Sequence, residues 1–205
     1  MLILASASPR RKELLAQAGF DFRVVPSSIP EELRAGESPI AYVTRLAREK
    51  ARFVFESQRE SATKERSDLL VLGADTTVVA PSGEILEKPV DAADAARMLR
   101  LLGGATHQVI TGVCLLSRAA EEVAAEVTYV TMNTLSDAEM DAYIATGEPN
   151  DKAGAYGIQG YAARWVPRIH GCYFNVMGLP LALVTGMIEG ALARMRSQSS
   201  LTAAR

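Results

Sequence analysis

Residues 3–18, ILASASPRRKELLAQA, set a short apolar run against a helical one, with hydroxyls and guanidiniums between them. Leu2 to Leu4 are long enough for a buried strand and too short for anything else. Lys12 to Ala18 read as helix, with Leu14, Leu15 and Ala18 on one face and Gly19 as the stop. Between them stand Ser6, Ser8, Pro9, Arg10 and Arg11, the proline being suited to a first helical turn. A strand that runs through a short loop into a helix aims backbone N–H groups at one spot, where a phosphate binds readily. Planar guanidinium forks beside it match phosphate oxygens. A plain Ser-capped helix with solvated arginines explains the same residues, so the local sequence leaves both readings open.

Working outward, Phe22 to Val25 are a second strand candidate, and Pro26-Ser27-Ser28-Ile29-Pro30 breaks regular structure ahead of Glu31 and Glu32. Ser38 caps and Pro39 begins a long helix whose apolar stripe is Ile40, Val43, Leu46, Ala47, Phe53 and Val54. Lys50 lies near the edge of that stripe, placed either to snorkel outward or to reach a buried anion. Leu69 to Leu72 read as a buried strand ending in Gly73-Ala74-Asp75-Thr76-Thr77, after a polar stretch from Ser57 to Asp68. Val78 and Val79 resume the strand habit, Pro81-Ser82-Gly83 turns, and Ile85-Leu86 return towards Glu87-Lys88-Pro89 as a hairpin. Asp75, a carboxylate at the end of an apolar strand, stands where open α/β sheets put ligand chemistry.

Asp91, with Asp94 in capping-box position, opens a helix buried through Ala95, Met98, Leu99 and Leu102 and ended by Gly103-Gly104. Gln108–Leu116 and Glu126–Thr134 read as an antiparallel pair joined by a turn over 118–125. His107, without a second histidine at ligand spacing, reads as structural. Ser136 and Glu139 form a capping box for a helix stopped at Gly147. In DKAGAYGIQG, residues 151–160, the glycines suit a loop whose backbone passes close to a ligand. Trp165 to Val176 read as sheet around His170-Gly171. Gly178-Leu179-Pro180 opens a last helix to about Arg196, with residues 197–205 expected as a disordered tail. Helices and strands are mixed rather than strictly alternating, the pattern of an α/β or α+β fold on a mixed sheet.

The chain has 205 residues and a net charge of -2, enough for a real core and without the basic stripe of a nucleic-acid or membrane-surface binder. Cys114 and Cys172 share no metal-knuckle spacing and suit buried thiols in a reducing cytosol. The N-terminal apolar run is short and its arginines follow it, opposite to a signal peptide. Gly186 interrupts and Glu189 closes the apolar stretch from Leu179, which is too short to span a bilayer. A cytoplasmic protein is expected.

The polar residues that escape a structural explanation are one-sided. Arg10, Arg11, Lys50 and Lys88 offer charge, Ser6 and Ser8 donors, and Glu31 and Asp75 hard oxygen ligands. That set suits a polyphosphate with a divalent cation, because Mg²⁺ takes one or two carboxylates plus phosphate oxygens. Phosphoryl chemistry then needs positioning, charge neutralisation and a group to orient or deprotonate water. No G-x-x-x-x-G-K-[ST] stretch is present, which excludes a P-loop.

ILASASPRRKELL, LAREKA, LGADT, LEKP, DKAGAYGIQG and GLP occur in the order and spacing of the Maf family, which the chain resembles from residue 2 to about 190. The resemblance implies an α/β fold: an elongated mixed sheet with flanking helices and two lobes around a central cleft, akin to the inosine-triphosphate pyrophosphatases. It places one such domain over residues 1–196. It implies hydrolysis of a nucleoside triphosphate to monophosphate and pyrophosphate with Mg²⁺ or Mn²⁺, and admits a homodimer, since family members are often dimers.

Carried onto this chain, the resemblance makes Asp75 the general base, Glu31 a metal ligand or helper acid beside Asp75, and Lys50 and Lys88 phosphate holders. Ser8 and Arg11 line the phosphate end. Arg10, Thr76 and Gln159 resemble the dTTP/UTP type and not the 7-methyl-GTP branch. The Gln159 amide also offers a donor and an acceptor to the N3–H and carbonyl edge of uracil or thymine, modified pyrimidines included. Pro30 stands where relatives of this type carry an acid, which makes Glu32 a substitute candidate for Glu31. The competing expectation is a non-catalytic nucleotide-binding regulator of cell division.

Overall fold

The computed structural model describes residues 1–59 and 69–203, so most of the polar stretch ending at Asp68, and the last two residues of the expected tail, lie outside the description. Its elements are β1 (Leu2–Leu4), α1 (Pro9–Gln17), β2 (Phe22–Val24), α2 (Pro39–Arg59), β3 (Leu70–Val79), β4 (Ile85–Leu86) and α3 (Ala92–Leu102). They continue as β5 (Thr106–Leu116), β6 (Glu121–Thr131), α4 (Asp137–Ala145), β7 (Arg168–His170), α5 (Tyr173–Val176) and α6 (Leu181–Ala203), with 3-10 turns between α4 and β7. The seven strands form one mixed sheet in the order β2-β1-β3-β5-β6-β7, with β4 also pairing β3. The expected mixed α/β fold is what the chain adopts.

β3 is the spine. One of its edges pairs with β5 from Val71 to Val79. The other edge takes β1 in parallel over Leu70–Leu72 and β4 antiparallel over Val78–Val79. Between those two partners no strand covers residues 73–77 on that edge among the described residues. Asp75 therefore sits inside a continuous strand and not at its end, which corrects the sequence reading. Relative to the parallel ladder, though, it lies just beyond the carboxyl end, where Leu4 pairs Leu72 and β1 stops.

Apolar surface on both sides holds the sheet. On one face Leu2, Leu4, Leu70, Leu72, Ala74 and Val113 pack against Leu14 and Leu15 of α1 and Val184 and Ile188 of α6. On the other, Ile3, Val71 and Cys114 meet Ala47, Ala51 and Val54 of α2. α2 comes unusually close. A Cβ on Gly73 would stand 2.1 Å from the Ala47 carbonyl oxygen, and one on Gly112 would stand 2.5 Å from the Val43 carbonyl. Farther along β3 a separate core gathers Val78, Leu86, Met98, Leu99, Leu102, Tyr143, Tyr156 and Trp165.

Several boundaries differ from the sequence reading. β6 begins at Glu121, so the β5–β6 turn is confined to 117–120 rather than 118–125. Trp165 to Val176 is mostly not sheet: only Arg168–His170 pair with β6, and Tyr173–Val176 coil into α5. On α2, Ile40 and Phe53 are exposed while Ala51 is fully buried. Phe53 lies roughly 120° around the helix from Ala47, whereas Ala51 lies about 40° from it. α6 runs to Ala203, beyond the expected end near Arg196. No described helix is long and apolar enough to cross a membrane.

Candidate active site

A cleft of about 410 Å³ opens over the uncovered edge of β3. Five basic side chains, Arg10, Arg11, Lys50, Lys88 and Lys152, and four acidic ones, Glu31, Asp75, Glu87 and Asp151, line it. The cleft brings together all nine sequence-selected residues: Ser8, Arg10, Arg11, Glu31, Lys50, Asp75, Thr76, Lys88 and Gln159. Glu32 is not among its lining residues; only its backbone carbonyl is engaged, accepting from Arg45.

Alternation along β3 sends Asp75 and Thr76 to opposite faces of the sheet. Asp75 points to the α2 side, where Lys50 meets it. Both are buried, at 7% and 6% exposure. Lys50 Nζ lies 2.7 Å from Asp75 Oδ1 and 2.6 Å from Glu31 Oε1. An ammonium at that depth is tolerable only when paired, so Lys50 has taken the buried-anion option. The two carboxylates thus converge on one cationic position. Burial pushes the Asp75 carboxyl above the ordinary aspartate value, against the opposing pull of Lys50 and Arg11.

Thr76 faces the α1 side and meets Arg11. Ser8 caps α1, its hydroxyl accepting from the Arg11 amide, and Pro9 occupies the first turn. The Arg11 guanidinium donates to the Gly178 carbonyl at 2.8 Å, the Thr76 hydroxyl at 2.9 Å and the Ser6 hydroxyl at 3.3 Å. Burial lowers its pKa, yet arginine starts so high that the charge stays. Arg11 is therefore a clamp among β3, the first loop and the turn before α6, as well as a charge behind the cleft. Arg10 reaches across to Asp151, an ion pair of 3.4 Å.

Sequence reasoning missed Tyr42 and Glu87 as cleft residues. The buried Tyr42 hydroxyl lies 2.9 Å from the Glu31 carbonyl oxygen and also contacts the Glu87 carboxylate. It fastens the Glu31 loop to α2, and its phenol is pushed up by burial first and Glu87 second. Glu87 precedes Lys88 in LEKP, a signal that was present but unused. The glycines of DKAGAYGIQG pack closely on protein: Cβ atoms on Gly154, Gly157 and Gly160 would stand 2.9, 2.7 and 2.0 Å from Val78, Lys152 and Glu148, and Gly157 also lines the cleft. His107 lies outside the cleft lining. It is buried, with Nε2 2.8 Å from the Tyr156 hydroxyl, and burial alone lowers its pKa to about 4.

Among the described residues no group of three or more His, Cys, Asp or Glu side chains is placed to hold a metal. A divalent ion that shares its coordination with substrate oxygens asks for less. Glu31 and Asp75, hard oxygen donors already gathered on one cation, fit that kind of site.

A mixed α/β sheet carries a cleft lined by five basic side chains over a buried, lysine-paired aspartate, an arrangement suited to an anionic ligand. Residues 1–191 match the family described as Maf-like protein, and the chain belongs to that family. It is 56% identical to a protein of Koribacter versatilis, over 93% of this chain and 94% of that one. Proteins of Salmonella typhimurium and Geobacter sulfurreducens are 55% and 53% identical, over 88% and 89% of this chain and 87% and 92% of theirs. Each of the three relatives is named dTTP/UTP pyrophosphatase.

Proposed function

We propose that this chain, acting through one domain over residues 1–196, hydrolyses dTTP and UTP to their monophosphates and pyrophosphate. Modified pyrimidine triphosphates belong to the same substrate class. The observation that carries the reading is the buried Asp75–Lys50 pair at the floor of a cleft lined by four further basic side chains. A pure binder of polyphosphate gains nothing from a buried carboxylate facing its ligand, whereas a hydrolase needs one. The relatives' names supply the substrate class.

In this mechanism water attacks the α-phosphorus, the bond to the bridging oxygen breaks, and pyrophosphate leaves with that oxygen. Asp75 takes the proton of the attacking water, a role favoured by a carboxyl pKa raised above the usual range. Lys50 holds Asp75 in place and supplies positive charge beside it. Lys88 and Arg11, with Ser8, hold the phosphate chain, and Arg10, Thr76 and Gln159 receive the nucleoside end. Glu31 and Asp75 are the residues that would hold a divalent cation such as Mg²⁺ or Mn²⁺, which would supply charge neutralisation at the reacting phosphate. The setting consistent with this role is the cytoplasm, with a homodimer as the proposed assembly.

The test is a screen of the purified protein with Mg²⁺ or Mn²⁺ against common and modified nucleoside triphosphates, assaying pyrophosphate and orthophosphate separately. Pyrophosphate chiefly from dTTP and UTP is expected. Release from other bases overturns the substrate assignment. Nucleotide binding without any turnover overturns the enzyme and leaves a regulator.

A further inference from the structure

Gln159 occupies the third position of a tight turn, in which the Gly160 amide donates to the Gly157 carbonyl at 3.0 Å. The turn is held from below at every other position. Ile158 is buried in the core that contains Tyr143, Tyr156 and Trp165. Gly157 rests on the aliphatic stem of Lys152, and a Cβ there would meet its Cε at 2.7 Å. Gly160 rests on the Glu148 carboxylate, where a Cβ would meet Oε1 at 2.0 Å and Cδ at 2.6 Å. The same carboxylate accepts the Tyr161 amide at 3.2 Å and the Tyr143 hydroxyl at 3.1 Å. Glu148 also ties the two supports together, since its backbone carbonyl accepts from Lys152 Nζ at 2.6 Å. Gln159 and Gly160 are the exposed residues of the turn, and of these two Gln159 lines the cleft.

We infer that Glu148, which does not itself line the cleft, is the positioning residue that sets pyrimidine selectivity by fixing the Gly157–Gly160 turn under Gln159. The inference deepens the dTTP/UTP reading and rests on it. A side-chain amide distinguishes a uracil or thymine edge from a cytosine edge only if its donor and acceptor stay in register with the base. A turn that shifts carries the amide away from the base edge it reads. Gly160 is required because the carboxylate fills the space of a side chain, and the carboxylate is required because its oxygens satisfy one amide and one phenol at once. None of the reacting groups touches Glu148, so its loss is expected to act on base selection rather than on the chemical step.

The experiment measures kcat and KM for UTP and CTP in the wild type, Glu148→Ala, Glu148→Gln and Gly160→Ala, with thermal melts confirming that each is folded. Glu148→Ala is expected to raise KM for UTP by roughly tenfold, keep kcat within about threefold, and cut the UTP-over-CTP ratio of kcat/KM by about tenfold, the scale of a small misplacement of a positioning group. Glu148→Gln keeps the shape and one acceptor and is expected to fall between. Gly160→Ala, which drives a methyl into the carboxylate, is expected to reproduce Glu148→Ala and provides the same readout if the latter does not fold. A wild type without pyrimidine selectivity overturns the dTTP/UTP reading together with this one. A selective wild type whose UTP-over-CTP ratio is unmoved in the folded variants overturns the role of Glu148 alone.

Discussion

Asp75 needs burial to be basic and a cation to be buried. Desolvation raises its pKa, and Lys50 at 2.7 Å keeps the ionised form attainable. Asp75→Asn keeps the shape and one oxygen acceptor towards Lys50 but cannot take a proton. It is expected to bind nucleotide and lose about 10²- to 10⁴-fold in kcat, checked by pyrophosphate release beside equilibrium binding; unchanged turnover removes Asp75 from the base role. Lys50→Met tests the other partner. It strands a buried carboxylate, with Glu31 alongside, and is expected to cost about 3 kcal/mol of stability by urea unfolding. Adding Asp75→Asn to that variant removes the unpaired charge and is expected to restore part of the loss. A double variant no more stable than Lys50→Met contradicts the pairing account.

The element that puts Lys50 onto Asp75 is α2, and two glycines set its height above the sheet. Gly73 and Gly112 stand on the face of β3 and β5 that α2 covers, and neither leaves space for a methyl group. Gly73→Ala is expected to force α2 outward, costing about 1–3 kcal/mol or more as overpacking does, and to lengthen the Lys50–Asp75 contact so that kcat falls as well. A melt and a turnover assay check both; a variant with wild-type stability and activity shows that α2 does not rest on this notch. Here the limits of sequence reading become physical. Gly73 read as the end of a strand because a glycine weakens a strand locally, whereas its actual partner is a helix two dozen residues earlier in the chain. The same limit applies to Phe53, read as buried from its side-chain type while Ala51 on the packed face went unnoticed. In contrast, the Ser8, Asp91 and Ser136 caps were legible, because each bond joins residues three apart.

At the scale of the whole molecule, the cleft exists because β1 and β4 occupy the same edge of β3 and leave a gap between them. Residue chemistry and the family resemblance together selected the nine cleft residues, Thr76 and Gln159 by resemblance, but nothing local announced the gap, Tyr42 or Glu148, whose roles depend on packing across the fold. The same dependence governs behaviour in acid. His107, on β5, is buried and donates to or accepts from Tyr156 of the loop that carries Gln159. Burial lowers its pKa from 6.5 to about 4. The unfolded chain thus binds a proton first as pH falls, and the stability contributed by neutral His107 is complete above about 6.5 and drains away towards 4. Between pH 7.5 and 4.5 this one group withdraws about 2–3 kcal/mol. Asp75, whose carboxyl pKa is raised by burial, also shapes the acid response, so the informative quantity is a difference of differences. Urea unfolding of the wild type and of His107→Gln at both pH values is expected to show a smaller acid loss in the variant by about that amount, even where its stability at pH 7.5 is lower. Equal losses in the two proteins place the acid sensitivity elsewhere. The expected result ties the acid sensitivity to burial of neutral His107 against Tyr156, a member of the core around Met98, Tyr143 and Trp165.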